Sequence, residues 1–156
     1  MRKIFNLLHN IRKFYWRTLK VKTFGVRVMI INRQFSDGKI FLVKHRYGDL
    51  WVLPGGQIKR GEAAENAAIR EVFEETNIKI LSFEKVLGEY KNNQEGKNDT
   101  VTVFVANEWR DGGRKWNWEI KESGFFDLEN LPEGTSSATR SRVSEYITGS
   151  PPMLKW

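Results

Sequence analysis

Glu71, Glu74 and Glu75 stand at i, i+3 and i+4 in the run AENAAIREVFEETN, a spacing that puts three carboxylates on one face of an α-helix. Ala64, Ala67 and Ala68 continue that face towards the helix start, so it is acidic at one end and small at the other. Ile69, Val72, Phe73 and Thr76 fall on the opposite side and are expected to form the stripe that packs on a sheet. Like charges one turn apart destabilise an isolated helix by about 0.2–0.5 kcal/mol, and by more where water is partly excluded, unless a cation sits among them. Oxygen-only donors suit a hard divalent ion, Mg²⁺ first and Mn²⁺ as the other candidate. A bare ExxEE run is more often a solvated acidic surface, so its neighbours must decide.

Those neighbours form the stretch GGQIKRGEAAENAAIREVFEETNI over residues 55–78. It resembles the Nudix box, G-x5-E-x7-R-E-U-x-E-E-x-G-U with U a bulky aliphatic residue. Gly56 is followed at the family spacing by Glu62, Arg70, Glu71, Val72, Glu74, Glu75 and Ile78, and one position departs. Asn77 stands where the family has glycine, just past the helix end, where a left-handed backbone is wanted and Asn is the next best residue.

The resemblance implies an α/β/α sandwich around a mixed, largely antiparallel sheet. It also implies a metal-dependent hydrolase that cleaves the diphosphate linkage of a nucleoside diphosphate joined to another group, such as a nucleoside triphosphate or a nucleotide sugar. Glu71, Glu74 and Glu75 would be ligands for one to three Mg²⁺ ions, with the Gly55 carbonyl completing the shell. Glu71 is also the first choice of base, and Arg70 ties the acidic face together. A further acid comes from beyond the box in many members, and Glu119 and then Glu122 are the candidates here. The alternatives are an RNA 5′-end pyrophosphohydrolase and a non-catalytic module that binds nucleotide or RNA. Subfamily markers, a proline 15 residues after the box or a tyrosine 18 after it, are absent: Asn93 and Gly96 stand there. This argues against ADP-ribose and dinucleoside polyphosphates without naming another substrate.

The elements that would position these groups are legible in part. Residues 23–32, TFGVRVMIIN, read as a strand buried on both faces and interrupted by Arg27, a cation that is either paired at a ligand site or reaches solvent. Ser36, Asp37 and Gly38 make a turn into a second strand, KIFLVKH, in which Ile40, Leu42 and Lys44 alternate with Phe41, Val43 and His45. Lys44 and Arg46 lie close to the glycine turn and are candidate contacts for a substrate diphosphate, with solvation as the alternative for each. His45 has no partner cluster in the sequence and reads as a strand residue.

Trp51 and Leu53 are expected to anchor the approach to the box, and Glu62 to serve the helix N-terminus. Residues 78–90 read as one or two strands, 92–99 as a polar loop, 100–109 as an alternating strand and 110–115 as a second loop. Trp116, Trp118, Phe125 and Phe126 read as core or loop anchors, with base stacking as the alternative. A helix is expected over 137–147, ended by Gly149.

At 156 residues the chain suits one domain, expected over 23–148, with a tail at 149–156. It has no cysteine, which excludes disulfides, thiolate metal sites and a thiol nucleophile, and fits a cytoplasmic location. Seven of the 26 basic residues lie in residues 1–22, which hold no acid, so the remainder is neutral and the net charge of +7 belongs to this segment. The segment is amphipathic at near-helical spacing. It could pack on its own domain or on a second subunit as a homodimer, lie on an anionic membrane surface, track an RNA backbone, or act as a targeting segment. No apolar run is long enough to span a bilayer, and no secretory pattern follows the charges.

Overall fold

In a computed structural model of the chain, residues 22–34, 38–92, 98–113, 117–153 and 155–156 are described. The amphipathic reading of residues 1–22, the turn residues Ser36 and Asp37, the marker positions Asn93 and Gly96, and Trp116 lie outside them, Lys22 apart. The order is β1 (Lys22–Asn32), β2 (Lys39–His45), β3 (Trp51–Val52), α1 (Ala64–Thr76), β4 (Ile78–Ser82), β5 (Lys85–Asn92), β6 (Asn98–Ala106), β7 (Glu108–Asp111), β8 (Ile120–Asp127) and α2 (Ser137–Thr148).

The main sheet runs β3-β2-β1-β6-β5, with β8 on the other edge of β2. Among the strands of the described residues only β1 and β6 form a parallel ladder; the other ladders are antiparallel, giving the mixed, largely antiparallel α/β architecture expected. β1 carries Val26, Val28, Met29, Ile30 and Ile31, all buried, because the sheet is covered on both faces. On one face α1 packs Ala67, Ala68 and Val72 against Val26, Val28, Phe41, Val43 and Phe104. On the other, Met29, Ile31, Ile40, Leu42, Val103 and Val105 meet Leu53, Trp51 and Val143 of α2.

The split between β1 and β2 positions the glycine turn. They pair only at Ile31–Ile40 and Asn32–Lys39 and then diverge. The loop after β3 takes the place of β2 beside β1: Val28 N–H donates to Pro54, Val26 N–H to Gly56, and Ile58 N–H to the Phe24 carbonyl. Gly55 has φ 137°, and a Cβ there would overlap the Val26 carbonyl, so the turn needs a glycine.

Two expectations change. The inward face of α1 is the alanine face, with Glu75 buried beside it, while Ile69 is exposed. The small residues let the helix backbone approach the sheet closely, and they carry the acids inward with them. The expected strand over 100–109 breaks after Ala106, and Glu108–Asp111 pairs instead with β4 in a separate two-stranded sheet, so Arg110 is a strand residue. The terminal residues are stitched to the domain, with Trp156 N–H donating to the Lys91 carbonyl and Met153 N–H to Glu145.

Candidate active site

The box loop is braced by Arg70. Its Nε and Nη2 donate to the two oxygens of Glu62 at 2.8 Å each, Nη1 donates to Glu71 at 2.6 Å, and Nη2 also reaches the Gln57 carbonyl. Glu62 accepts in addition from Lys59 N–H, so it ties the loop to the helix rather than capping the helix itself. These bonds hold the Glu62 carboxyl down at about 2, the Arg70 hydrogen bonds contributing most. The expected Arg70–Glu74 pair is present at 3.6 Å, with Glu74 half exposed.

Glu71 and Glu75 grip the glycine turn from the helix side. A Cβ on Gly56 would overlap the Glu71 carboxylate, and Glu75 Oε2 accepts from Gly55 N–H at 2.9 Å. Burial pushes the Glu75 carboxyl up to about 7; the Arg27 charge and the Gly55 N–H oppose this, while Glu71 and Glu119 add to it. Arg27 donates to the carbonyls of Leu53 and Gly55, so the oxygen expected in a metal shell is engaged by a guanidinium here.

Of the downstream acids, the fold favours Glu119. Its carbonyl accepts from Arg46 N–H at 2.9 Å, which sets it beside the end of β2 and within electrostatic reach of Glu75. Glu122 lies opposite Lys44 in the β2–β8 ladder and pairs with it at 3.7 Å. Lys44 also sits over the Trp51 ring, on the α2 face of the sheet, so neither Lys44 nor Glu122 joins the box acids. Arg46 is exposed at the rim.

His45, read from the sequence as a strand residue, ends β2 and lies against Glu75. Its Nε2 lies 3.6 Å from Glu75 Oε1, its ring stacks on Tyr47, and its Nδ1 is buried without a hydrogen-bond partner. Burial, and then the Arg27 charge, press its pKa down to about 4, so it is neutral beside Glu75. The alternation of β2 held the signal: His45 shares a face with Phe41 and Val43, the face that α1 covers. Asn117 was the other residue missed, and it joins the end of α1 to the segment that carries Glu119.

No three acidic or imidazole side chains among the described residues converge as a ready-made ion cage. The chemistry of the donors nonetheless fits a hard divalent ion: crowded carboxylates at Glu71, Glu75 and Glu119, with two arginines now balancing them.

A family model for the NUDIX domain matches residues 22–146. The chain belongs to the Nudix family. Nudix hydrolases generally use divalent metal ions. The ADP-ribose pyrophosphatase of Methanocaldococcus jannaschii is 33% identical over 102 residues, covering 63% of this chain and 60% of that protein. Diphosphoinositol polyphosphate phosphohydrolase 3-beta of Bos taurus is 36% identical over 91 residues, covering 53% of this chain and 55% of that one. The chain thus matches little more than half the length of these curated relatives. A crystal structure of the MutT NUDIX hydrolase from Burkholderia pseudomallei superposes with a TM-score of 0.68 at 25% identity, covering 80% of this chain and 97% of that one. The Nudix architecture expected from the box is therefore the fold of this chain.

Proposed function

We propose that this Nudix chain is a divalent-metal-dependent pyrophosphohydrolase acting on a nucleoside diphosphate linked to another group. The observation that carries this reading is the grip of Glu71 and Glu75 on the Gly55–Gly56 turn, with Glu119 brought in from across the sheet. Glu71, Glu74 and Glu75 would hold Mg²⁺ or Mn²⁺, with Gly55 offering its carbonyl and Glu119 a further carboxylate. A bound ion supplies charge neutralisation at phosphorus and a more acidic water.

The chain's own residues do the rest. Glu71 orients the attacking water or takes its proton, with Glu119 as the second choice. Water's oxygen forms the new bond to one phosphorus, the bond from that phosphorus to the bridging oxygen breaks, and the proton passes to a carboxylate. Arg46 at the rim would face the transferred phosphates, and Arg suits such contacts because its fork matches two phosphate oxygens; Arg27, bonded to the Leu53 and Gly55 carbonyls, braces the turn from behind. Asn77 adopts the left-handed conformation that the glycine of the box serves, with φ 60°, and the helix end is intact. That favours an enzyme over a non-catalytic module.

The test is a substrate panel assayed with Mg²⁺ and with EDTA: nucleoside triphosphates, nucleotide sugars, ADP-ribose, a diphosphoinositol polyphosphate and triphosphorylated RNA. One class should be cleaved only when metal is present, and Glu74→Gln should lose roughly 10- to 100-fold of that activity, as ligand and supporting-shell changes do. Equal turnover in EDTA, or full activity in Glu74→Gln, would sink the proposal.

A further inference from the structure

A helix end leaves carbonyls without partners inside the helix, and something must satisfy those of α1. The Phe73 carbonyl takes the Asn77 N–H. The Glu74 and Glu75 carbonyls take both hydrogens of a single distant amide: Asn117 Nδ2 donates to Glu74 O at 2.7 Å and to Glu75 O at 3.3 Å. The oxygen of the same amide accepts from Glu119 N–H at 2.7 Å and Ile120 N–H at 3.3 Å. Two donors and two acceptor sites are all that a primary amide has, so the group is saturated, and every partner is backbone.

The partners matter more than their number. Two are the peptide groups that carry Glu74 and Glu75, and one is the peptide group that carries Glu119. Glu119 is fixed on its other side as well, where its carbonyl accepts from Arg46 N–H. A second stitch lies just upstream, where Asn77 Nδ2 donates to the Gly112 and Gly113 carbonyls and Gly112 N–H returns to the Asn77 carbonyl. The acids on the helix and the acid on the loop are 44 or more residues apart in sequence, and one side chain spans the gap.

We propose that Asn117 is a positioning residue that sets the spacing between Glu75 and Glu119, and through that spacing the affinity of the site for a divalent cation. The inference rests on the metal-dependent reading above. Asn117 touches neither substrate nor ion; it acts through the backbone of the residues that do. Alanine frees the loop from the helix. Aspartate keeps the size and the acceptor but turns an anion towards two carbonyl oxygens, which pushes the segments apart.

The probe is Mn²⁺ alone, titrated into the full chain by electron paramagnetic resonance, well below the unfolding midpoint of each variant. Asn117→Ala and Asn117→Asp should each bind Mn²⁺ about 10- to 100-fold more weakly than wild type, as loss of supporting contacts around a metal site does. Tyr90→Phe, which removes one hydrogen bond on the other face of the sheet, serves as the control for general destabilisation and should bind Mn²⁺ as wild type does. With a cleaved nucleotide in hand, kcat at limiting Mg²⁺ should fall in the Asn117 variants and recover towards wild type at high Mg²⁺, while Tyr90→Phe shows no such dependence. Asn117→Ser, which retains a hydroxyl at the position, replaces either variant that does not fold. Unchanged Mn²⁺ affinity in a folded Asn117 variant overturns this proposal alone, whereas no Mn²⁺ binding by wild type overturns both it and the metal-dependent function.

Discussion

His45 and Glu75 are neighbours whose protonation is displaced in opposite directions, and each leaves a different mark on stability. Glu75 ordinarily titrates at 4.5 and in the folded chain at about 7, so the native state holds its proton more tightly. Its contribution is fully present below pH 4.5 and is lost as pH rises to about 7. His45 ordinarily titrates at 6.5 and in the folded chain at about 4; its contribution is present above pH 6.5 and is lost as pH falls to about 4. Over the shared range the two slopes oppose each other, so metal-free wild type should show a shallow profile. Glu75→Gln should leave the histidine slope, with stability rising with pH, and His45→Asn should leave the glutamate slope, with stability falling. Urea unfolding in EDTA across this range checks both, and slopes of the same sign in the two variants would contradict the assignment.

At the scale of elements, side chains fasten α1 at both ends, in place of an N-terminal cap and in addition to a left-handed C-terminal one. Its N-cap, Ala63, makes no side-chain cap, and the Glu62–Arg70 fork does the fastening instead. At the far end Asn77 takes φ 60° and spends its amide on the loop after β7. Non-glycine residues other than Asn and Asp lose roughly 1–2 kcal/mol in that conformation, and a neutral hydrogen bond contributes about 1 kcal/mol. Asn77→Ala should therefore lower stability by roughly 2–3 kcal/mol. Asn77→Gly, which keeps the backbone and loses only the amide, should fall between it and wild type. Chemical denaturation orders the three, and a glycine variant less stable than the alanine one would contradict the account.

At the scale of the molecule, the sheet face away from the box is locked by a buried charge cluster. Arg142 is 1% and Glu145 4% exposed. Arg142 donates to both oxygens of Glu145, stacks 3.8 Å from the centre of the Tyr90 ring, and donates to the Lys155 carbonyl; Tyr90 O–H and Met153 N–H also donate to Glu145. Removing one member strands the other in a dry interior, so Glu145→Ala should lose about 3–5 kcal/mol. The acids of the box lie on the opposite face, so the KM for a cleaved nucleotide should stay near wild type below the unfolding transition. Urea unfolding and steady-state kinetics on the same preparation check both halves. By itself the sequence determined the acidic helix, its left-handed end at Asn77, the box and with it the family, and the mixed α/β class, because each rests on short-range spacing and on alternation within one element. Tertiary structure alone decided that the alanine face turns inward, that Glu119 and not Glu122 comes within electrostatic reach of Glu75, that Lys44 turns to the α2 face, and that His45 lies against Glu75 and Asn117 against the end of α1. Those outcomes depend on strand register, in which a shift of one residue moves a side chain to the other face of the sheet, and on hydrogen bonds between segments that no local pattern links.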